Sequence, residues 1–500
     1  MIKGIVSRAK TITDSLKGPV HNQVMGLLTL VISVTAVTTA ALLAPPVTAN
    51  ELDLQQMAAP LYRTEKQIIF HKLDNGLQLR LLPLADNQLV SLASQFRVGS
   101  RDETSGQTGY AHLFEHMLFK GSENAPGDSY AQTMSAISGQ FNASTFFDFT
   151  NYYLTIPSEA LKLSLWLEAD RFIRPALTEQ TVKNQQDTVL EEMATSIDNQ
   201  PYVRKAMEFL LTQARDTPYG HAVIGSREDV KNATKETLEQ FHHTHYRPDA
   251  MQLSIVGALP ENTALWVEEE FGRWQNPEQA LKAPLKMQFD NQAVHGEVVD
   301  ERGPWPALLL AWHTVGQTHP DAAAVSLLEA YLFQNRSSLI KQSGLTEPDQ
   351  LLTYSIPLSM EQMGVSNLVM VPRAKTSLDR LAGNVERAIE TLATNGISDQ
   401  ALSQLKANWL NKRLQLIDRP SQLARALSAT LAQDSLTPLT GPWERINAVS
   451  PAQLQAVAQT YFSQGYVRLD LLPPWYIRWT KTLLEWFPQG LSDTLEDLVL

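Results

Sequence analysis

His112 and His116 stand four residues apart, with Glu115 immediately before the second, in the run His112-Leu113-Phe114-Glu115-His116. On an α-helix, positions four apart stack on one face, so the two imidazoles face one point. Glu115 lies close enough to reach a water held there. The order is the reverse of H-E-x-x-H, in which two helical His bind zinc and the Glu serves as general base. Leu113, Phe114, Met117, Leu118 and Phe119 make this helix apolar nearly all round, which predicts burial. Two His and a Glu in a buried helix cost free energy unless they are paired or bind a metal. A metal centre is the expectation, ahead of a satisfied pair of core histidines.

The elements that must position these groups are legible in outline. Thr108 is the expected N-cap of the motif helix, with Lys120-Gly121 closing it. A catalytic zinc takes three protein ligands, so one more is required. The best source is the segment from Val182 to Met193, where Val182, Val189 and Met193 form one apolar helical stripe. Glu191 points away from that stripe and reads as a surface carboxylate. Glu192 sits on its border, within reach of a buried site, and geometry favours it.

With their surroundings, these residues resemble the inverzincin metallopeptidases, the family of pitrilysin, insulin-degrading enzyme and the mitochondrial processing peptidases. The shorter, two-module bacterial members are the nearest in pattern. The resemblance runs from about residue 66 to 472 and is denser in the first half. It is carried by Gly106 to Ala111, Phe119 to Ser122, Gly139 to Thr145, Glu168-Ala169-Asp170-Arg171, Val189 to Glu192, Pro218-Tyr219-Gly220-His221 and Tyr246-Arg247-Pro248. It implies an α+β fold of two homologous modules, each an antiparallel-rich sheet with helices packed on it, arranged as a clamshell. It implies one Zn2+ per chain, held by His112, His116 and Glu192, which lies 76 residues past His116. Such a zinc acidifies water and polarises a peptide carbonyl, and Glu115 moves the proton. The implied activity is endoproteolysis of unfolded peptides or polypeptides. Asn142, Ala143 and Ser144 match an edge strand to which substrate adds as a further strand.

Two departures from the family pattern shape the expectation. Gln185 stands where the family places a Glu supporting the metal ligands, so it can hydrogen-bond but brings no charge. The Arg and Tyr that active relatives carry in the second module, seven apart, fall here on Ile340 and Glu347. Arg336 and Tyr354 are the candidates to substitute. A dimer is expected, with a heterodimer pairing this zinc-bearing chain with a homologous subunit that supplies the Arg and Tyr. The alternative reading is a non-catalytic scaffold or clamp subunit of a heteromeric complex. Retention of all four active-site residues favours the enzyme.

Composition bounds the rest. The chain of 500 residues has 43% hydrophobic and 19% charged residues, ordinary globular values. Zero cysteines exclude disulfides and thiolate metal sites and are compatible with export. Lys3, Arg8, Lys10 and Lys17 precede an uncharged run from Val24 to Ala44, followed by Pro45-Pro46-Val47-Thr48-Ala49. That reads as a signal peptide cleaved after Ala49, with an uncleaved inner-membrane anchor as the runner-up. The expected location is the periplasm of a Gram-negative bacterium. The formal charge is −12; removing residues 1–49, with four basic and one acidic residue, makes it −15. This balance argues against nucleic acid and suits neutral or basic peptides.

The expected divisions are a leader or anchor over 1–49, a zinc-bearing module over 62–275, and a polar, Pro-punctuated linker over 276–292. A second module follows over 293–472, then an aromatic tail over 473–500. Strands are expected at 68–70, 77–82, 89–98, 251–256 and 307–312, with long helices between Thr376 and Ala432. His242, His243 and His245 end a surface helix, diverge in direction and lack an acidic partner, so they read as non-ligating. Trp475, Tyr476, Trp479, Trp486 and Phe487, interleaved with Arg478 and Lys481, suit a membrane interface or a partner subunit.

Overall fold

A computed structural model describes residues 53–85, 87–278, 293–334, 350–373 and 375–484. The leader, most of the linker, Arg336, Ile340, Glu347, Trp486 and Phe487 lie outside the described residues. No helix among the described residues is long and apolar enough to cross a membrane.

The first sheet contains β1 (Ile69–Lys72), β2 (Gln78–Pro83), β3 (Leu89–Phe96), β4 (Gln140–Thr145), β5 (Thr150–Pro157) and β6 (Met251–Gly257), in the order β1-β2-β6-β3-β5-β4. The β1–β2 turn is the expected Asp74-Asn75-Gly76, with Gly76 at φ +96°. Strand β4 is therefore an edge. The second sheet contains β7 (Val294–Val299), β8 (Ala307–Val315), β9 (Gln350–Tyr354), β10 (Leu358–Ser359), β11 (Met363–Pro372) and β12 (Val467–Leu472). Its order is β10-β11-β8-β12-β7, with β9 also pairing β11.

The two sheets repeat one topology that no sequence identity reveals. In the first, β2 runs parallel to β6, which pairs antiparallel with β3, and β3 with β5. In the second, β7 runs parallel to β12, which pairs antiparallel with β8, and β8 with β11. Each module thus pairs its closing strand in parallel with an early strand, β2 in the first and β7 in the second, and keeps the rest antiparallel.

Helices fill the layers around them. In the first half these are α1 (Leu54–Glu65), α2 (Tyr110–Met117), α3 (Ser129–Ala136), α4 (Leu161–Ile173), α5 (Glu179–Met193), α6 (Val203–Thr212), α7 (Arg227–Asn232), α8 (Lys235–His245) and α9 (Thr263–Phe271). The second half adds α10 (Ala322–Glu329), α11 (Leu378–Asn395), α12 (Asp399–Ile417), α13 (Pro420–Ser428), α14 (Thr440–Ala448), α15 (Pro451–Val457) and α16 (Trp475–Leu484). The aromatic tail thus begins as a helix after β12, where α9 follows β6 in the first module. Trp475, Tyr476 and Trp479 on it are exposed.

One core cluster joins Leu79, Phe96, Leu113, Phe114, Phe172 and Val189 under the first sheet. A second cluster crosses between modules: Ala58 and Leu61 of α1, with Leu82, Ala93 and Val256 of the first sheet, share it with Trp312, Leu410 and Leu427. Helix α1, absent from the sequence reading, packs on α12 and α14, and the Glu65 carboxylate accepts from Leu439 N and Thr440 N at 2.7 Å each. A third cluster seats Tyr202, with Phe209 and Leu210 of α6, on the opposite face of the second sheet.

Candidate metal centre

Helix α2 begins one residue later than the sequence suggested. Gly109, at φ +89°, is the N-cap in place of Thr108, because the chain turns through the left-handed region there. A Cβ at Gly109 would lie 2.5 Å from the Ile224 carbonyl oxygen and 3.0 Å from Gly225 Cα, so only glycine fits. The capping group is the buried Glu103 carboxylate, which accepts from Gly109 N and Ala111 N at 2.8 Å each. A carboxylate at this end also complements the helix dipole. His221, from the Pro218-Tyr219-Gly220-His221 segment, lies 2.9 Å from Glu103 and holds it. Thr108 instead bonds Asp229 at the start of α7. The helix ends at Met117, with Leu118 rather than Lys120-Gly121 as its C-cap.

On α2, the His112 and His116 rings lie 4.8 Å apart between centroids. Helix α5 buries Val182, Gln185, Gln186, Val189 and Met193, and this fixes its rotation. Glu192, on the border of that face, comes to 3.7 Å from His112 Nε2 and 3.5 Å from His116 Nε2. Among the described residues, His112, His116 and Glu192 form the one group of three or more potential ligands, their atoms within 4.8 Å of one another. The His side chains are 13% and 23% exposed and Glu192 43%, so the cluster opens to solvent on the Glu192 side.

This donor set fits zinc. Ligand atoms roughly 2.0–2.1 Å from a tetrahedral centre are roughly 3.3–3.4 Å apart, near the separations seen. Ligands must also be deprotonated. Burial lowers the His112 pKa to about 4, so its imidazole is neutral at pH 7. Burial pushes the Glu192 carboxyl up, but its hydrogen bond to His116 and its electrostatic interactions with the His112 and His116 rings outweigh this and leave it below the usual carboxylate range.

Glu115 stands beside the cluster. Burial raises its pKa to about 6, against the pull of a 2.5 Å hydrogen bond from Thr145 Oγ1 to Glu115 Oε2. Thr145 closes the edge strand that carries Asn142, Ala143 and Ser144, so one strand both flanks the cluster and orients Glu115. The sequence reading placed Thr145 only at the end of the edge-strand segment and gave it no role toward Glu115. Gln185 is buried on α5, two turns from Glu192. Tyr354 lies on β9, paired with Val369, where burial raises its hydroxyl pKa.

Glu168 and Arg171 form a buried ion pair on α4. Arg171 makes a bidentate pair with Glu168 at 2.8 Å for both bonds, and Tyr130 donates to Glu168 at 2.7 Å. Phe119, Tyr130, Tyr152 and Phe172 surround the guanidinium at 4.4–4.8 Å. His242 Nε2 bonds the Phe172 carbonyl at 2.7 Å and its ring stacks on Phe114, so it serves packing.

Residues 84–227 match the family described as Insulinase (Peptidase family M16), and residues 232–408 match the Peptidase M16 inactive domain. An uncharacterised zinc protease of Mycobacterium leprae is 34% identical over 407 residues, 79% of this chain and 89% of that protein. Zinc protease PqqE of Helicobacter pylori is 26% identical over 410 residues, covering 80% of this chain and 92% of that protein. Among solved structures, a Helicobacter pylori protease superposes with a TM-score of 0.73 at 24% identity, over 81% of this chain and 99% of that one. The first half of the periplasmic protease PqqL from Escherichia coli gives 0.67 at 18%, over 87% and 97%. These two share the fold: two sheet-and-helix modules. The chain belongs to the M16, or insulinase, family of peptidases.

Proposed function

We propose that this chain is a zinc-dependent endopeptidase acting on unfolded peptides or polypeptides, with His112, His116 and Glu192 as ligands of one zinc and Glu115 as general base. The observation that carries this reading is the convergence of four side chains from two helices at the end of an exposed sheet edge. Bound there, zinc supplies Lewis-acid polarisation of a peptide carbonyl and acidifies water. The chain's own groups do the rest. Neutral His112 and His116 and ionised Glu192 hold the ion. Glu115, steadied by Thr145, accepts the proton of the attacking water and passes it to the leaving amine nitrogen. Backbone groups of Asn142, Ala143 and Ser144 on β4 receive the substrate as an added strand, which selects extended chain over folded protein.

A second reading, a scaffold subunit that keeps its metal, is favoured by one observation. Residues 232–408 match a domain described as inactive, and Ile340 and Glu347 stand where active relatives carry Arg and Tyr. Within the enzyme reading the same departure calls for a homologous partner subunit supplying that pair. Export to the periplasm is supported by the residue 1–49 pattern and by the PqqL likeness in fold.

The test is hydrolysis of an unfolded polypeptide by the zinc-loaded protein, with Glu115→Gln as control. Cleavage by the wild type that is lost in the control supports the enzyme. Equal cleavage by both removes Glu115 from the mechanism. No cleavage by the folded, zinc-loaded chain, alone or with a homologous subunit, favours the scaffold.

A further inference from the structure

The second module touches the first beside β4 through a half-buried charge cluster. The turn between β10 and β11 presents Glu361, whose backbone N–H donates to Asp148 Oδ2 at 2.8 Å and whose carboxylate pairs with Arg101 at 2.8 Å. Arg101 also holds Asp148 Oδ1 at 2.7 Å, and Tyr219 donates to the same oxygen at 2.6 Å. Arg97 approaches Glu361 at 3.7 Å. Asp148 belongs to the Phe146–Phe149 loop that joins edge strand β4 to β5, three residues beyond Thr145.

That loop has little freedom on its other side. Ser100 N and Arg101 N donate to the Phe146 and Phe147 carbonyls at 3.2 and 2.9 Å. A Cβ at Gly99 would lie 2.4 Å from both carbonyl oxygens, so the two chains touch. Beneath the charges, Ala214, Tyr219, Met360 and Met363 form an apolar patch with Phe147 and Val365. The patch lies against partly shielded ion pairs, with Arg101 11% and Glu361 18% exposed, so loss of one partner costs more than at an open surface.

We propose that Glu361, in the module matching the inactive domain, is a positioning residue for Glu115, acting through Asp148, the 146–149 loop and Thr145. This rests on the enzyme reading above. The physical reason is economy of contact. Thr145 orients Glu115 by one hydrogen bond, so its accuracy depends on where β4 ends. The β4 end is fixed by Asp148, and of the three bonds Asp148 accepts, one comes from the Glu361 backbone N–H and one from Arg101, which the Glu361 carboxylate holds. An otherwise non-catalytic module thereby becomes necessary for accurate proton transfer.

Two readouts test it on the full chain. Amide hydrogen exchange compares wild type with Glu361→Ala and Glu361→Gln and needs no turnover. The expected result is exchange faster by about tenfold in the 140–149 segment of Glu361→Ala, less in Glu361→Gln, with the Tyr202–Phe209 contact on the second sheet unchanged. Unchanged exchange at 140–149 overturns the proposal. The kinetic arm is a double-mutant cycle with Thr145→Val. Glu361→Ala should lower kcat roughly 10- to 100-fold with KM and zinc content within about twofold. Because both residues act on Glu115 through one path, the double variant should be scarcely slower than the slower single one. Multiplicative losses, or a defect confined to KM, overturn it. A wild type without hydrolysis, alone or with a homologous subunit, would remove the enzyme reading, and the exchange result would still decide whether Glu361 governs the loop.

Discussion

Glu329 gives a prediction whose sign and size both follow from the structure. It ends α10, which follows β8 as the motif helix α2 follows β3, and its carboxyl is buried with Ser366 donating to it. Burial raises its pKa from the model-peptide value of 4.5 to about 7, against the Ser366 hydrogen bond. Folding therefore holds a proton that the unfolded chain releases. Below pH 4.5 both states are protonated and the group adds no penalty. As pH rises through 7 the folded protein must either keep a neutral acid or bury a charge, and stability falls. At about 1.4 kcal/mol per pKa unit, the loss between pH 4.5 and 8 is about 3 kcal/mol. Glu329→Gln keeps the shape and the acceptor for Ser366 but cannot ionise. Urea unfolding at pH 5 and pH 8 should show the variant within about 1 kcal/mol of wild type at pH 5 and more stable by about 2–3 kcal/mol at pH 8. Every other titrating group is common to both proteins, so the difference isolates Glu329. Parallel pH–stability curves would refute the reasoning.

Other expectations concern the metal corner and the buried Glu168–Arg171 pair. Glu192→Gln should weaken zinc at least as much as the 10- to 100-fold typical of losing an outer partner, measured by competition with a chelator. Activity should rise with pH through an acid limb below the metal-free Glu115 value of about 6, because the base must be ionised and the charge of bound zinc favours that form. Thr145→Val removes the bond that favours that ionised form, so the limb should move to higher pH. Arg171→Met leaves the Glu168 carboxylate buried without its partner and should cost about 3–5 kcal/mol in unfolding, with Glu168→Gln/Arg171→Met recovering part of it.

Local patterns in the sequence carried the parts of the site that are local. The i, i+4 spacing of His112 and His116 is a property of one helix, and the apolar stripe of α5 suffices to turn Glu192 inward. Strand alternation and the Asp74-Asn75-Gly76 turn outlined the first sheet. What escaped notice depends on distant partners. Thr108 looked like a cap because Ser, Thr, Asp and Asn usually are; the actual cap, Glu103, reaches Gly109 only because Gly109 lies against Gly225 and His221 braces the carboxylate. Helix α1 escaped because Ala58 and Leu61 are buried in a cluster shared with the second module. The shared topology of the sheets survives in strand pairing after the residues diverged. Asp148 and Glu361 lie 213 positions apart, and no spacing rule joins them.

The most direct test of the account is anomalous diffraction at the zinc edge from crystals of the metal-loaded protein. The account predicts one peak per chain, with His112 Nε2, His116 Nε2 and a Glu192 oxygen at about 2.0–2.2 Å. No peak there in zinc-loaded crystals, or a peak at the His242–His245 end of α8 instead, would contradict it.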